Sequence, residues 1–235
     1  MNKKGVIVGS TDTDFCNVLL SKPHHAYVLG LWCADGYHRT SSIGLSSVSE
    51  KLAQTFLDFF RKYFDFSRLK LRIYLPVIAD ADFEVNRLSK IFGIKTIRQY
   101  RLKKAKVPTL HLYVNSRPML RSFREARRAV VRATNKEILF AYFARRFDGD
   151  GSISEDKRSD CRIVYSNQLE AENDKHILVR LGFVLTKVYH YKDARTYCLY
   201  VSRLEATKFL EHISRYSPLQ KSVSVPSRDL IYCQR

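Results

Sequence analysis

Several large classes of protein are excluded by what this sequence lacks. Among its 235 residues there are only nine glycines and six prolines, too few for a collagen-like, low-complexity or disordered chain. No apolar run approaches the ~18 uncharged residues that a membrane-spanning helix needs. The first residues already include Asp12 and Asp14 and lack the long apolar core of a secretory signal. We therefore expect a folded protein without membrane association, located in the cytoplasm, the nucleoid or an organelle matrix.

Cysteine and histidine give no sign of a disulfide framework or a zinc site. The five cysteines are widely spaced and form no Cys-x-x-Cys pair, and the seven histidines form no His-x-x-x-His pair. Disulfide-stabilised folds and zinc sites both depend on such recurrent spacings. This pattern favours a reducing, intracellular compartment.

Acidic residues are scarce relative to basic ones. The chain has 41 lysines and arginines against 23 aspartates and glutamates, which gives a formal net charge of +18 and a pI of about 9.8. Such an excess indicates a polyanionic partner, and nucleic acid is the leading candidate because each neutralised phosphate releases a counterion. The alternative is a basic protein without such a partner. A membrane surface is disfavoured, since the basic residues are spread along the chain rather than gathered on one amphipathic helix.

One segment of the chain occurs twice. Ala26–Gly36 (AYVLGLWCADG) and Ala141–Gly151 (AYFARRFDGDG) align with a constant offset of 115 residues, and both end in Asp-Gly. The tripeptide Leu-Tyr-Val at residues 112–114 recurs at residues 199–201. Two matches in the same order indicate two half-domains of related plan rather than a solenoid.

Apolar periodicity predicts the same order of elements in each half. A helix (about residues 25–35 and 137–149) is followed by two strands, an amphipathic helix, two strands and a short helix, which is an αββαββα plan in an α+β fold. Extra residues of the first half, at about 77–106, look like an added helix (84–92) and strand (94–102). The predicted divisions are a lead segment 1–24, a half-domain 25–128, a linker 129–136, a half-domain 137–222 and a tail 223–235.

The two repeated helices carry the features that point to chemistry. In one copy the small residues Ala26, Gly30 and Ala34 recur every four positions and would allow a close crossing of the two helices. The matching positions of the other copy are Ala141, Arg145 and Gly149. Asp35 and Asp150 lie at the negative ends of the helix dipoles and would repel each other. Divalent cations held by these acids would offset both effects. One Asp-Gly alone is more often a simple turn, and Gly36 and Gly151 suit a left-handed C-cap.

These segments resemble the name-giving motif of the LAGLIDADG family of homing endonucleases. The resemblance lies in residues 28–36 and 143–151, and with the separation of the motifs and the order of elements it covers about residues 25–222. It implies a monomer with pseudo-twofold symmetry, in which the motif helices pair and two antiparallel sheets form a saddle. The implied partner is double-stranded DNA with a long specific target site. Both strands would be cleaved across the minor groove, leaving 3′ overhangs.

The resemblance also implies the residues of the catalytic site. Asp35 and Asp150 would bind Mg²⁺ or Mn²⁺, with Ca²⁺ as a non-catalytic substitute, and the backbone carbonyls of Ala34 and Gly149 could contribute. In the family, a polar residue that ends the strand before the second helix and a basic residue after the last helix order the surrounding water. By position, these residues are Ser47, Asn167 and Lys221.

Polar residues on the predicted strands are the candidate DNA contacts. A strand advances about 3.3 Å per residue, close to the ~3.4 Å rise per base pair, so a curved sheet can follow a groove. Such alternation is also normal for a solvated sheet face. The candidates in the first half are Arg39, Ser42, Arg72, Tyr74, Lys95, Arg98 and Tyr100, with Arg101, Lys103, Lys104 and Lys106 assigned to phosphates. In the second half they are Ser154, Arg162, Tyr165, Asn167, Lys187, Tyr189, Tyr191, Arg195 and Tyr197.

Arg145 departs from the family pattern, which has glycine at this point of the helix crossing. Arg146 beside it is also charged. We expect Arg145 to turn out of the crossing and to reach an acid or a DNA phosphate, since the two catalytic helix ends must stay close together.

A different class of function is compatible with the same scaffold. A relative that does not cleave could act as an RNA maturase or as a DNA-binding regulator. The presence of both Asp35 and Asp150 favours cleavage, because a binding module gains nothing from two repulsive acids.

Overall fold

The structure is a computed structural model that describes residues 12–37, 41–64, 66–154 and 160–219. By its internal contacts the chain divides into two compact units, Met1–Gly149 and Asp150–Arg235. Each unit contains one β-sheet with helices packed against it. None of the helices in the described ranges is long and apolar enough to cross a bilayer.

Six helices are described in the first unit. Helix α1 (Asp12–Leu19) lies in the predicted lead segment and precedes the first motif helix, α2 (Pro23–Asp35). The remaining helices are α3 (Glu50–Tyr63), α4 (Ala81–Phe92), α5 (Arg117–Ala129) and the second motif helix α6 (Lys136–Asp150). The last residue of α6 is the first residue of the second unit.

The strands described in the first unit form a five-stranded sheet in the order β1-β2-β5-β3-β4. Their bounds are β1 (Gly36–Tyr37), β2 (Ser42–Ser47), β3 (Lys70–Leu75), β4 (Ile97–Arg101) and β5 (Thr109–Asn115). The predicted extra helix and strand are α4 and β4. However, β4 pairs with β3 in parallel, so the expectation of a wholly antiparallel sheet is wrong at this edge. The cause is α4, which carries the chain back to the starting end of β3 in a crossover connection.

The second unit repeats the plan without the extra pair of elements. Its strands are β6 (Gly151–Ile153), β7 (Cys161–Tyr165), β8 (Thr186–Tyr191) and β9 (Thr196–Val201), and its helices are α7 (Gln168–Arg180) and α8 (Arg203–Ser214). The described strands form an antiparallel sheet in the order β6-β7-β9-β8. Together with the first unit, this confirms the predicted α+β fold with two αββαββα repeats.

The two motif helices are buried because they are apolar on nearly every side. Helix α2 begins at Pro23, whose fixed φ suits the first helical turn, and its residues 25–32 are all buried. Helix α6 begins after Asn135, whose side chain accepts hydrogen bonds from the backbone N–H groups of Glu137 (2.9 Å) and Ile138 (3.3 Å). Its residues 138–146 are buried.

Aromatic rings fill much of each core. In the first unit Phe123 of α5 lies 5.4 Å from Trp32 and 6.3 Å from Phe60, measured between ring centroids. In the second unit the rings of Phe183 and Phe209 lie 5.6 Å apart, edge to face. These contacts hold α2, α3 and α5 against one another, and they hold α8 against the segment that follows α7.

His25 is a buried histidine held in its neutral form at the start of α2. Its Nδ1 donates to the Val18 carbonyl oxygen (2.8 Å), and its Nε2 accepts from the Tyr63 hydroxyl (2.9 Å). Burial lowers the pKa of His25 from 6.5 to about 4 in spite of the opposing hydrogen bond to Val18, and the charges of His24 and Lys62 add to this lowering.

We expect the stability of the protein to fall as the pH drops from 6.5 to about 4. In this window the unfolded chain protonates His25 whereas the folded protein does not, so the free energy of unfolding declines by up to about 1.4 kcal/mol per pH unit. Urea unfolding across the window should show a shallower decline for His25→Gln. The same substitution at the exposed His176 is the control. Equal slopes for wild type and His25→Gln would contradict the prediction.

Candidate functional site

The motif helices α2 and α6 cross with their backbones in contact. A Cβ atom at Gly30 would lie 2.4 Å from the Tyr142 carbonyl oxygen and 3.2 Å from the Arg145 Cβ. One turn later, a Cβ atom at Gly149 would lie 2.8 Å from the Ala34 Cβ. Residues with the 115-residue offset therefore meet at two successive turns. This confirms the close crossing that the small residues predict.

A hydrogen bond joins the same two helices beside the crossing. The hydroxyl of Tyr27 on α2 donates to Asp148 Oδ2 on α6, at 2.9 Å. Burial raises the pKa of Tyr27 well above its ordinary value, and the carboxylate of Asp148 adds to this effect. Tyr27 therefore stays protonated, and it serves as a fixed donor to Asp148.

Asp35 and Asp150 are the last residues of the two motif helices. Both are half-buried, and the Asp35 side chain is 30% exposed. The predicted left-handed caps are wrong: Gly36 has φ −72°, and the only glycines with positive φ in the described part of the chain are Gly93 and Gly182. Glycine is needed at position 36 for space, because a Cβ atom there would lie 1.9 Å from the Trp32 carbonyl oxygen.

Arg145 does not turn out of the crossing, contrary to our expectation. Its side chain is 0% exposed, and its Nη2 donates to Asp35 Oδ2 at 2.6 Å. The side chain runs from Gly30, which faces its Cβ, to Gly149, where a Cβ atom would lie 2.8 Å from Nη1. The expectation that it reaches an acid is met, but inside the crossing, because the two glycines leave room for it there.

One face of the first sheet collects polar and aromatic side chains. The register places Arg72 beside Arg98 and Tyr74 beside Tyr100, with Tyr113 of β5 on the same face. The Arg72 guanidinium lies 4.5 Å from the Tyr113 ring centroid, and the rings of Tyr74 and Tyr100 stack at 5.4 Å. We call this the first polar face; its side chains are Ser42, Ser46, Lys70, Arg72, Tyr74, Arg98, Tyr100, Thr109, His111 and Tyr113.

The remaining first-half candidates lie around this face or away from it. Lys95, Lys103, Lys104 and Lys106 are exposed in the loops on either side of β4. Arg101 lies on the opposite face of the sheet from Arg98 and Tyr100. Its guanidinium donates to the Val77 carbonyl oxygen and so holds the loop before α4 against β4. Arg39 lies outside the described residues.

The second sheet has a corresponding face. Arg162, Lys187 and Tyr200 lie side by side across three strands, and the Arg162 guanidinium lies 5.0 Å from the Tyr200 ring centroid. The Tyr191 hydroxyl is hydrogen-bonded to that of Tyr200, and Tyr189 packs on the Tyr200 ring at 4.9 Å. This second polar face, formed by Ser152, Arg162, Lys187, Tyr189, Tyr191, Thr196, Cys198 and Tyr200, borders an open groove of about 730 Å³.

Four second-half candidates have other surroundings. Tyr165 is buried on the opposite side of the sheet and donates to Asp174 Oδ2 at 2.8 Å, so it is a core residue rather than a DNA contact. Tyr197 shares that side and stacks on His190. Ser154 is buried and accepts from Arg162 Nη2 at 3.1 Å. Arg195 is exposed in the β8–β9 hairpin, with φ 51°.

Asn167 and Ser47, which the family resemblance assigns to the catalytic site, both have local structural roles. Asn167 caps α7 by accepting from the backbone N–H of Glu170 (3.2 Å). Ser47 is buried on the apolar side of β2 and accepts from the backbone N–H of Ser49 (3.1 Å). The residue that caps α3 is Ser49, so Ser49 and not Ser47 is the structural counterpart of Asn167. Lys221 lies outside the described residues.

Sequence reasoning missed the tyrosines at the centre of both polar faces. Tyr113 and Tyr200 occupy the middle of the repeated Leu-Tyr-Val segment, and each carries an arginine on its ring. The signal was present: a tyrosine between two buried apolar residues of a strand must point to the opposite face.

Comparison with known proteins gives the fold a name. I-DmoI in complex with DNA and Ca matches with a TM-score of 0.54 and 18% identity, over 85% of this chain and 94% of that chain. I-WcaI, a homing endonuclease bound to its DNA recognition sequence, matches with a TM-score of 0.53 and 12% identity, over 94% and 93%. No protein-family model and no curated protein sequence matches the chain. The chain has the LAGLIDADG fold, which confirms the resemblance in its motifs at the level of structure.

Replacing Gly30 by alanine should destabilise the protein even though alanine is the better helix former. The gain in helix propensity is about 1 kcal/mol. The added Cβ would lie 2.4 Å from the Tyr142 carbonyl oxygen, so the two backbones must separate. We expect a net loss of about 1–3 kcal/mol in the free energy of unfolding, measured by urea denaturation. Cys33→Ala on the same helix controls for the introduction of alanine, and a Gly30→Ala protein as stable as wild type would contradict the close crossing.

Proposed function

We propose that this protein is a site-specific double-stranded DNA endonuclease of the homing type, acting as a monomer on a long target site. The observation that carries the proposal is the crossing of two repeated helices at equivalent positions, Gly30 with Arg145 and Ala34 with Gly149. Each helix ends in an aspartate. The net charge of +18 and the two polar faces supply a surface suited to DNA. The fold relatives I-DmoI and I-WcaI, both described with DNA, support the same partner.

The catalytic assignment rests on Asp35 and Asp150. Carboxylate and backbone carbonyl oxygens are the ligands that Mg²⁺ and Mn²⁺ prefer, and Ca²⁺ would bind the same oxygens without supporting the reaction. Asp35 fits this use, since its Oδ2 accepts from Arg145 while its Oδ1 has no hydrogen bond within the described residues. The carbonyls of Ala34 and Gly149 are candidate further ligands. A bound divalent cation supplies positive charge to the phosphate in the transition state and activates a water.

The chain's own polar faces would hold the DNA during the reaction. Arg72 and Arg162 are each fixed over a tyrosine ring, so their guanidinium groups are preorganised to meet base edges or phosphates. Arg98 and Lys187 extend the positive charge along β4 and β8. Exposed lysines beside β4 are placed for phosphates rather than bases.

One observation favours a second candidate function, a DNA- or RNA-binding protein that does not cleave. The carboxylate of Asp35 already has a cation partner in Arg145, at 2.6 Å. A binding module could therefore use Asp35 as the structural partner of Arg145, so the presence of this acid favours cleavage less than the sequence suggested. An RNA maturase or a DNA-binding regulator would keep the ion pair as a structural contact.

Cleavage distinguishes the two candidates. Incubation with a randomised double-stranded DNA library and Mg²⁺, followed by sequencing of the ends, should reveal a specific site cut in both strands with 3′ overhangs. Asp35→Asn and Asp150→Asn should each abolish double-strand cleavage and leave DNA affinity within about tenfold of wild type. Asp58→Asn, at an exposed acid on α3, is the control, and thermal melts establish that each variant is folded. Double-strand cutting by either motif variant at the wild-type rate would refute the assignment.

Salt dependence tests the partner independently of cleavage. DNA affinity should fall steeply with salt, with a slope of log K against log[salt] of about −0.9 for each phosphate neutralised. Lys187→Ala on the second polar face should reduce the slope by about one unit. Lys51→Ala, on α3, should leave it unchanged because α3 packs on the apolar side of the first sheet. A slope near zero for the wild type would exclude DNA as the partner.

A further inference from the structure

Arg145 is a fully buried cation with unused hydrogen-bonding capacity. Its side chain is 0% exposed, and its only hydrogen bond within the described residues joins Nη2 to Asp35 Oδ2 at 2.6 Å. Its Nε and Nη1 are buried without an acceptor. A guanidinium offers five N–H donors, and buried donors without acceptors are unfavourable. A purely structural ion pair would be expected to satisfy more of them.

The partner acid, Asp35, is partly exposed to solvent. Asp35 is 30% exposed, and its Oδ1 has no hydrogen bond in the described part of the chain. The carboxylate therefore has a guanidinium on Oδ2, and its side chain is partly exposed to solvent. A cation that binds Oδ1 must approach the full positive charge of Arg145, whose side chain lies in the space left beside Gly30 and Gly149.

The repeat places no equivalent charge at the other helix. The residue 115 positions before Arg145 is Gly30, which has no side chain to reach an acid. The pseudo-symmetric chain is therefore asymmetric in charge at its helix crossing. The arginine belongs to the second motif helix, but it neutralises the acid of the first.

We propose that Arg145 is the resident cation of Asp35: its guanidinium holds the carboxylate in position and weakens the affinity of this acid for a divalent cation. The proposal rests on the proposed function in one respect, the assignment of Asp35 as a metal ligand. Arg145 acts through Asp35 and is a positioning residue. The guanidinium lies 2.6 Å from Asp35 Oδ2 and repels any cation that approaches the same carboxylate. We expect loss of this charge to raise metal affinity about tenfold or more.

The single tryptophan of the chain provides a local reporter for this acid. Trp32 lies on α2 one turn before Asp35 and is 1% exposed. Terbium(III) is a hard cation that binds carboxylate oxygens and emits when a nearby indole is excited. Excitation at the red edge of the tryptophan band avoids the 14 tyrosines. The probe is Tb³⁺ alone, titrated into the 235-residue chain without DNA.

Three substitutions separate charge from shape at position 145. Arg145→Met removes the charge and keeps most of the length, and it should lower the Tb³⁺ dissociation constant by about tenfold or more. Arg145→Gln, also neutral, should act in the same direction and serves as the second variant if the methionine protein does not fold. Arg145→Lys keeps the charge and should stay near wild type. Adding Asp35→Asn to either neutral variant should abolish the gain, which assigns the ion to Asp35.

The outcomes keep this proposal distinct from the proposed function. If folded neutral variants bind Tb³⁺ no more tightly than wild type, or if the gain persists without the Asp35 carboxylate, Arg145 is not the resident cation of Asp35. Failure of the wild type to cut any DNA would overturn the endonuclease assignment and leave the Tb³⁺ comparison interpretable. A wild type that cuts, together with variants that show no gain, would refute the role of Arg145 alone.

Discussion

The close approach of α2 and α6 is the constraint on which the first unit depends. The Gly30 backbone touches the Tyr142 carbonyl, and Ala34 meets Gly149 one turn later. Only very small residues permit this spacing, and it determines which side chains can occupy the space beside it. The buried Arg145 side chain, the Tyr27–Asp148 hydrogen bond and the position of Asp35 all follow from how closely the two backbones approach.

The fold could be predicted from the sequence because its main signals are local and repeated. The motif helices and the Leu-Tyr-Val strands are marked by repetition, and the amphipathic helices are marked by apolar periodicity. Both signals can be read without knowing the neighbouring elements. The parallel pairing of β4 could not be predicted in this way, since it depends on the path of α4 across the sheet. The four tyrosines proposed as DNA contacts in the second half do not all share one face of the sheet. Tyr189 and Tyr191 lie on the polar face, whereas Tyr165 and Tyr197 lie on the opposite one.

The position of the two candidate acids at the helix ends could be predicted from the sequence, but their surroundings could not. Asp35 and Asp150 stand at the ends of the repeated helices, and no further information is needed to single them out. The direction of the Arg145 side chain depends on the space beside Gly30 and Gly149, which exists only in the packed structure. The prediction of a left-handed conformation at Gly36 was wrong for a similar reason. The glycine is required because the Trp32 carbonyl oxygen leaves no room for a Cβ atom, and its φ is negative.

The position of β4 has a consequence for how such a sheet can change. Although α4 and β4 are inserted between β3 and β5 in the chain, those two strands remain hydrogen-bonded neighbours, and β4 is added outside them at the free edge. Growth at an edge widens the polar surface without altering the register of the strands already present. The first polar face can therefore become wider or narrower by whole crossover units, while the helix crossing that carries the acids stays unchanged.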